Sequence, residues 1–78
     1  MEHIYRRCKE KMQHGIDKYG EYSPDTDTRD LLDESIEELI DATNYILMHR
    51  IKMEGSDLYL KDVELGLVNL IARIESKK

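Results

Sequence analysis

Six acidic residues crowd the middle of the chain, within residues 30–41. Five polar positions of this region recur at alternating steps of four and three: Asp30, Glu34, Glu37, Asp41 and Asn44. On an α-helix this spacing forms one narrow line of side chains, which we call the acidic stripe, and Asp33 and Glu38 flank it. Residues 30–49 contain no Lys or Arg, so the repulsion among the carboxylates has no local partner. A bound cation would relieve this repulsion, and so would water.

Carboxylates one helical turn apart can converge on a divalent cation, and Mg²⁺ prefers oxygen ligands. The side chains best placed to bind it are Glu34, Glu37, Glu38 and Asp41. Mg²⁺, with Mn²⁺ as the alternative, suits the hydrolysis of a phosphate compound, because the metal neutralises phosphate oxygens and activates a water. A remaining carboxylate could act as the general base. A solvated face predicts the same pattern, because the stripe lies opposite Leu32, Leu39 and Ile46.

The segment that precedes the acidic region has the pattern of an amphipathic helix from Glu2 to about Tyr19. Its apolar residues recur at helical spacing: Ile4, Cys8, Met12, Ile16 and Tyr19. A second line on the same helix, which we call the basic stripe, consists of Arg7, Lys11, His14 and Lys18. These side chains either line a solvated face or contact phosphate groups opposite the acids. Gly20 is expected to end the helix.

Two further helices are predicted after a loop that contains Pro24. The second runs from about Arg29 to Glu54 with Asp27 or Thr28 as its N-cap, and the third runs from a Ser56 N-cap to about Glu75. Asp57 would lie in the first turn of the third helix. We therefore expect an all-α, three-helix chain with a long helical hairpin and with the first helix packed across it. Much apolar surface would remain exposed, so two hairpins are expected to pair into a four-helix-core homo-oligomer.

The composition indicates a single small domain, residues 1–78, in a reducing compartment. Cys8 is the only cysteine, so an intrachain disulfide is excluded and a cytoplasmic protein is expected. No apolar run is long enough for a membrane span, and the charged N-terminal segment does not have the pattern of a signal peptide. The net charge of −5 argues against binding to a nucleic-acid backbone.

The acidic motifs resemble those of a known family. The run Asp33-Glu34-Ser35-Ile36-Glu37, followed by Glu38-Leu39-Ile40-Asp41, resembles the EExxE and ExxD motifs of the all-α nucleoside triphosphate pyrophosphohydrolases, the MazG-like superfamily. The phrase EELIDATNYIL, with Lys18-Tyr19-Gly20 upstream, is similar to short phage-encoded MazG-like proteins. The resemblance covers residues 18–48.

The resemblance implies a Mg²⁺-dependent enzyme that cleaves a nucleoside or deoxynucleoside triphosphate to the monophosphate and pyrophosphate, and that assembles as a homodimer or homotetramer. Glu34 and Glu37 match the first motif, and Glu38 and Asp41 match the second. All four would ligate the metal or support the catalytic water, with Glu37 and Glu38 as the catalytic pair.

Four further residues are expected to contact the nucleotide substrate: His14, Lys18, Asn44 and Tyr45. The chain departs from the family pattern in one respect, because typical members carry the two motifs on separate helices that face each other, whereas here one helix carries both. Either a second subunit completes the site, or the chain is a reduced and inactive relative. The alternative function is that of a catalytically inactive MazG-like helical interaction protein, a phage or mobile-element factor whose acidic face binds a partner.

Overall fold

The computed structural model describes residues 1–55 and 57–78 and contains three α-helices. They are α1 (Glu2–Tyr19), α2 (Leu31–Lys52) and α3 (Leu58–Glu75). The described residues form no strand, and none of their helices has the length and apolar character that crossing a bilayer requires. The predicted all-α class and the predicted bounds of the first helix are confirmed.

Helix α1 ends at Gly20, as predicted. Gly20 has φ +90°, a backbone conformation that glycine adopts without the steric cost that a Cβ would add. Its backbone N–H donates to the carbonyl oxygen of Ile16 at 2.7 Å, which closes the last turn of the helix. The chain then turns at Ser23–Thr26, where the Thr26 N–H and hydroxyl both donate to the Ser23 carbonyl oxygen at 3.2 Å. Pro24 occupies the second position of this turn, which its fixed φ suits.

Helix α2 is shorter at both ends than the sequence predicted, and its N-cap was predicted wrongly. The cap is Asp30, whose carboxylate accepts from the backbone N–H groups of Leu32 and Asp33, both at 3.1 Å. Asp27 cannot serve as the cap because its carboxylate is held by Arg29 instead. The Asp30 carboxylate therefore caps α2, although its spacing also places Asp30 in the acidic stripe.

The described part of the connection to α3 contains two residues with positive φ, Glu54 (φ 67°) and Gly55 (φ 74°). The Gly55 N–H donates to the Arg50 carbonyl oxygen at 2.6 Å, which satisfies an acceptor at the end of α2. Helix α3 is capped by Asp57, whose carboxylate accepts from the Leu60 N–H at 3.0 Å. The sequence placed Asp57 in the first turn, one position after the N-cap, whereas the structure has Asp57 as the N-cap itself. The predicted N-cap, Ser56, lies outside the described residues.

Helices α2 and α3 pack against each other as the predicted hairpin. Among the described residues, Ile36 is the only buried hydrophobic residue, with 7% of its surface exposed. The half-buried residues around it come from one face of each helix: Leu39, Thr43 and Ile46 on α2, and Leu60, Val63, Leu67, Ile71 and Ile74 on α3. Near the connection, Arg50 Nη1 lies 2.9 Å from Glu64 Oε1, so this ion pair links the two helices.

Helix α1 does not pack across the hairpin, contrary to expectation. Among the described residues, its backbone contacts neither α2 nor α3. The chain is correspondingly extended, with a radius of gyration of 15.8 Å. A compact domain of this length would have a radius of gyration of about 11.5 Å. The described chain also exposes 7153 Å², whereas a compact monomer of its mass exposes about 4,900 Å².

Ile36 is the position at which the hairpin is most sensitive to loss of packing. Ile36→Ala is expected to lower the free energy of unfolding by about 2–4 kcal/mol, because it removes buried methyl groups and leaves a cavity. Ile36→Val is the matched control and should cost about 1 kcal/mol. Urea denaturation followed by circular dichroism measures both, and equal stability of the alanine variant and the parent would contradict this packing.

Candidate functional site

The acidic stripe occupies the side of α2 that faces away from α3. Glu34, Glu37, Glu38 and Asp41 are all exposed, whereas Ile36 and its half-buried neighbours face the hairpin partner. The helical period explains this arrangement. Residues about half a helical turn away from the packed positions lie on the opposite side of the helix and point to solvent.

A base from the far end of the chain pairs with the first part of the acidic region. Lys78 Nζ forms an ion pair with Asp33 and lies 3.9 Å from Asp30 Oδ2. The antiparallel hairpin brings the C-terminal residues to the N-terminus of α2, which the local sequence pattern does not reveal. Within the acidic region, the carboxylates without an ion pair among the described residues are Glu34, Glu37, Glu38 and Asp41. They are the same four that the sequence selects as metal ligands.

The side-chain types of these four residues fit a hard cation such as Mg²⁺. Their arrangement in one chain is not sufficient, because residues 1–55 and 57–78 contain no group of three or more His, Cys, Asp or Glu side chains that could hold a metal ion. One exposed helix face spreads its carboxylates along the helix axis, whereas a closed site needs donors from a facing surface. The metal site therefore stays a prediction, and it requires ligands from outside this face.

Three of the predicted site residues do lie together. Asp41, Asn44 and Tyr45 line a shallow depression of about 290 Å³ with Met48. The Tyr45 side chain is 71% exposed, so its ring is free to contact a partner or ligand. This depression continues the acidic stripe toward the more apolar half of α2.

The other two predicted substrate-binding residues lie elsewhere. His14 and Lys18 belong to α1, which does not contact α2 in the described chain, so one copy does not bring them to Asn44 and Tyr45. Lys18 Nζ instead lies 5.2 Å from the centre of the Tyr19 ring, a cation–π distance.

Sequence reasoning missed the most extensively hydrogen-bonded carboxylate of the described residues, which lies in the loop before α2. The Asp27 carboxylate accepts from Arg29 Nε at 3.0 Å, Nη2 at 2.9 Å and the backbone N–H at 3.0 Å. The Asp27 side chain is only 8% exposed, although it lies in a loop. The Asp-x-Arg spacing was the available signal, because an Asp side chain commonly accepts from the backbone N–H two residues later.

These contacts change the titration of the groups involved. Donation from the Arg29 guanidinium, and then from its backbone N–H, holds the pKa of Asp27 well below its usual range. The same pairing raises the pKa of Arg29, and hydrogen bonding to Asp27 raises the pKa of Tyr22. An open pocket of about 520 Å³ lies between the end of α1 and the loop that contains Asp27. Ile16, Tyr19 and Tyr22 help to line it.

No protein-family model, no curated protein and no solved structure matches the chain. The similarity to MazG-like enzymes rests on the short acidic motifs, so family membership stays a prediction.

The Asp27–Arg29 contact should persist to unusually low pH. Because the folded pKa of Asp27 is depressed, its stabilising contribution is complete above the ordinary Asp value of about 3.9 and is lost progressively as the pH falls from there through the lower folded value. A carboxyl-carbon NMR titration of Asp27 should therefore have its midpoint below the ordinary value.

Arg29→Gln is the control for this titration, because it removes the guanidinium and keeps the backbone N–H. The variant should move the Asp27 midpoint upward, toward the ordinary value. A midpoint near the ordinary value in the unmodified chain would contradict the contact.

Proposed function

We propose that the chain is a small Mg²⁺-dependent nucleotide pyrophosphohydrolase of the MazG-like type, which cleaves a nucleoside or deoxynucleoside triphosphate to the monophosphate and pyrophosphate. The observation that supports it best is that only one part of the acidic region has a basic partner. Lys78 pairs with Asp30 and Asp33, whereas the four motif carboxylates have no ion pair among the described residues and face solvent. Their unrelieved repulsion favours a cation.

In this proposal Glu34, Glu37, Glu38 and Asp41 would hold the metal, which would neutralise phosphate oxygens and activate a water. Glu37 and Glu38 are the residues assigned to catalysis, with one carboxylate accepting the proton of the attacking water. Asn44 and Tyr45, in the depression beside Asp41, would orient the nucleotide.

The proposal includes pairing of two hairpins into a four-helix core. Helix α3 supports this because it is apolar on the side opposite α2 as well: Leu58, Leu65 and Val68 are 77%, 60% and 54% exposed. Their spacing of seven and three residues puts them on one face. A helix that is apolar on two sides is normally covered on both, and a homodimer or homotetramer provides that cover. A cytoplasmic location belongs to the same proposal, since Cys8 is free and exposed.

The test is pyrophosphate release from a panel of ribo- and deoxynucleoside triphosphates with Mg²⁺ or Mn²⁺. Glu37→Gln should lower turnover by at least about 100-fold, since even residues that only support metal ligands contribute 10–100-fold. Glu75→Gln is the control, because Glu75 is an acid at the end of α3, outside the motifs, and its loss should leave turnover unchanged. Absence of metal-dependent turnover across the panel would refute the enzymatic proposal.

A second candidate is a non-catalytic interaction protein whose acidic face binds a basic partner surface. It is favoured by the absence of a metal-holding group within the described residues of one chain. A melting-temperature measurement with Mg²⁺ and a non-hydrolysable nucleotide analogue separates the two candidates, because a ligand that binds the folded state raises the melting temperature. The enzyme should show a shift that Glu37→Gln abolishes, and the interaction protein should show none.

A further inference from the structure

Helix α1 stands apart from the other helices and exposes its apolar side. Among the described residues, its backbone contacts neither α2 nor α3. All of its residues are exposed except Gly15 and Ile16, which are half-buried. Its other large apolar side chains have the following exposures: Ile4 49%, Tyr5 64%, Met12 65% and Tyr19 80%. Most of the stability of a helix in a protein comes from packing its apolar face, so α1 gains stability from whatever surface covers that face.

The apolar residues of α1 form one uninterrupted arc around the helix axis. With 3.6 residues per turn, this apolar arc spans about 120° and contains no charged residue. In order around the helix it consists of Ile4, Gly15, Cys8, Tyr19, Met12, Tyr5 and Ile16. An arc of this width is sufficient to bury one side of a helix.

The charged residues of α1 are sorted by sign around the apolar arc. The basic stripe follows one border, where Lys11 is nearest to the arc, and Lys9 lies on the other border. Two of the three acids, Glu10 and Asp17, lie on the side of the helix opposite the arc, and the third, Glu2, is the first residue of the helix. Four of the five Lys or Arg residues of α1 therefore border the apolar arc.

This sorting suits a surface of uniform negative charge. A cationic side chain at the edge of an apolar face lays its stem on the apolar surface and keeps its charge at the polar boundary. The headgroups of anionic lipids attract such charges. Tyrosine rings, here those of Tyr5 and Tyr19, favour the same boundary layer. Amphipathic helices that lie on membranes combine these features.

A protein partner predicts a different pattern at the borders. Protein surfaces carry both signs interspersed, so a helix that docks on a protein commonly has Glu as well as Lys beside its apolar face, as the e and g positions of coiled coils do. Apart from Glu2, both borders of the apolar arc carry bases, and the acids lie opposite. The charge pattern therefore favours an anionic lipid surface over a second copy of the chain.

The negative charge of the chain lies outside α1. The net charge is −5, whereas α1 has five Lys or Arg residues against three Asp or Glu residues. Because α1 contacts neither α2 nor α3, the helical hairpin and its acidic stripe can remain on the water side of a bound α1. Exposed charges farther away than about 8 Å are largely screened at physiological ionic strength.

We propose that α1 binds the surface of a membrane that contains anionic lipids, with the apolar arc toward the acyl chains and with Lys9 and the basic stripe at the headgroups. The helix axis lies in the plane of the membrane surface, so no segment crosses the bilayer. This surface binding does not depend on the proposed enzymatic activity.

Co-sedimentation of the full chain with lipid vesicles tests the proposal. The chain should bind vesicles of phosphatidylcholine and phosphatidylserine at least about fivefold more tightly than vesicles of phosphatidylcholine alone, because each Lys or Arg near an anionic surface adds attraction. Binding to the anionic vesicles should weaken as salt is added. No binding to the anionic vesicles, or equal binding to both kinds, would overturn the proposal.

Two single substitutions test whether the apolar arc makes the contact. Met12→Asp places a charge in the arc and should lower the partition coefficient at least about tenfold, because the burial of a Met side chain is lost. Gln13→Asp is the matched control, since it adds the same charge on the polar side, about a helix diameter of 10 Å away from the surface. Screening should keep the effect of the control within about twofold. Equal effects of the two substitutions would refute the proposed orientation.

Cys8 allows the environment of the apolar arc to be measured directly, because it lies within the arc and is the only cysteine. An environment-sensitive fluorophore on Cys8 should shift its emission to the blue when the anionic vesicles are added. The same fluorophore on Gln13→Cys, in a Cys8→Ser chain, should not shift. A blue shift of the Cys8 label that grows with protein concentration in the absence of vesicles would mean that a second copy covers the arc, and would contradict the proposal.

Discussion

The packing of α2 against α3 is the interaction on which the rest of the structure depends. Two helices meet along only one face each, so their contact buries Ile36 and leaves its neighbours half-exposed. Folding nevertheless costs conformational entropy along the whole length of both helices. Small chains are only marginally stable even when they are compact. The exposed apolar residues of α3 follow from this incomplete core, and α1, which contacts neither of the other helices, leaves its own apolar residues exposed.

The same packing determines what the acidic residues can do. Because Leu39 and Ile46 face α3, the motif carboxylates on the opposite side of α2 must face solvent. The hairpin also returns Lys78 to Asp33, so one end of the acidic region has a basic partner and the other has none among the described residues. The four motif carboxylates thus remain available either to a cation or to basic side chains.

Local sequence patterns predicted the helices well because each has its own periodicity and stop signals. Gly20 ended α1 as expected, and the apolar period identified the faces that form the hairpin. The N-cap of α2 was wrong because three Asp residues compete within a few positions, and the pairing of Asp27 with Arg29 decides between them. The pairing of Lys78 with Asp33 could not be predicted, since it depends on the length and direction of two helices. The predicted packing of α1 across the hairpin was wrong for a similar reason. An amphipathic pattern shows that a helix has an apolar face to bury, but it does not show which surface buries that face.

The central claim is that the hairpin is completed by other copies of the chain. Its most direct test is the dependence of the thermal unfolding midpoint on protein concentration, measured over a wide range by circular dichroism. If association supplies the missing core, the midpoint must rise as the concentration rises, because the folded oligomer gains by mass action and the unfolded chain does not. A single sharp transition with the same midpoint at every concentration would contradict the account.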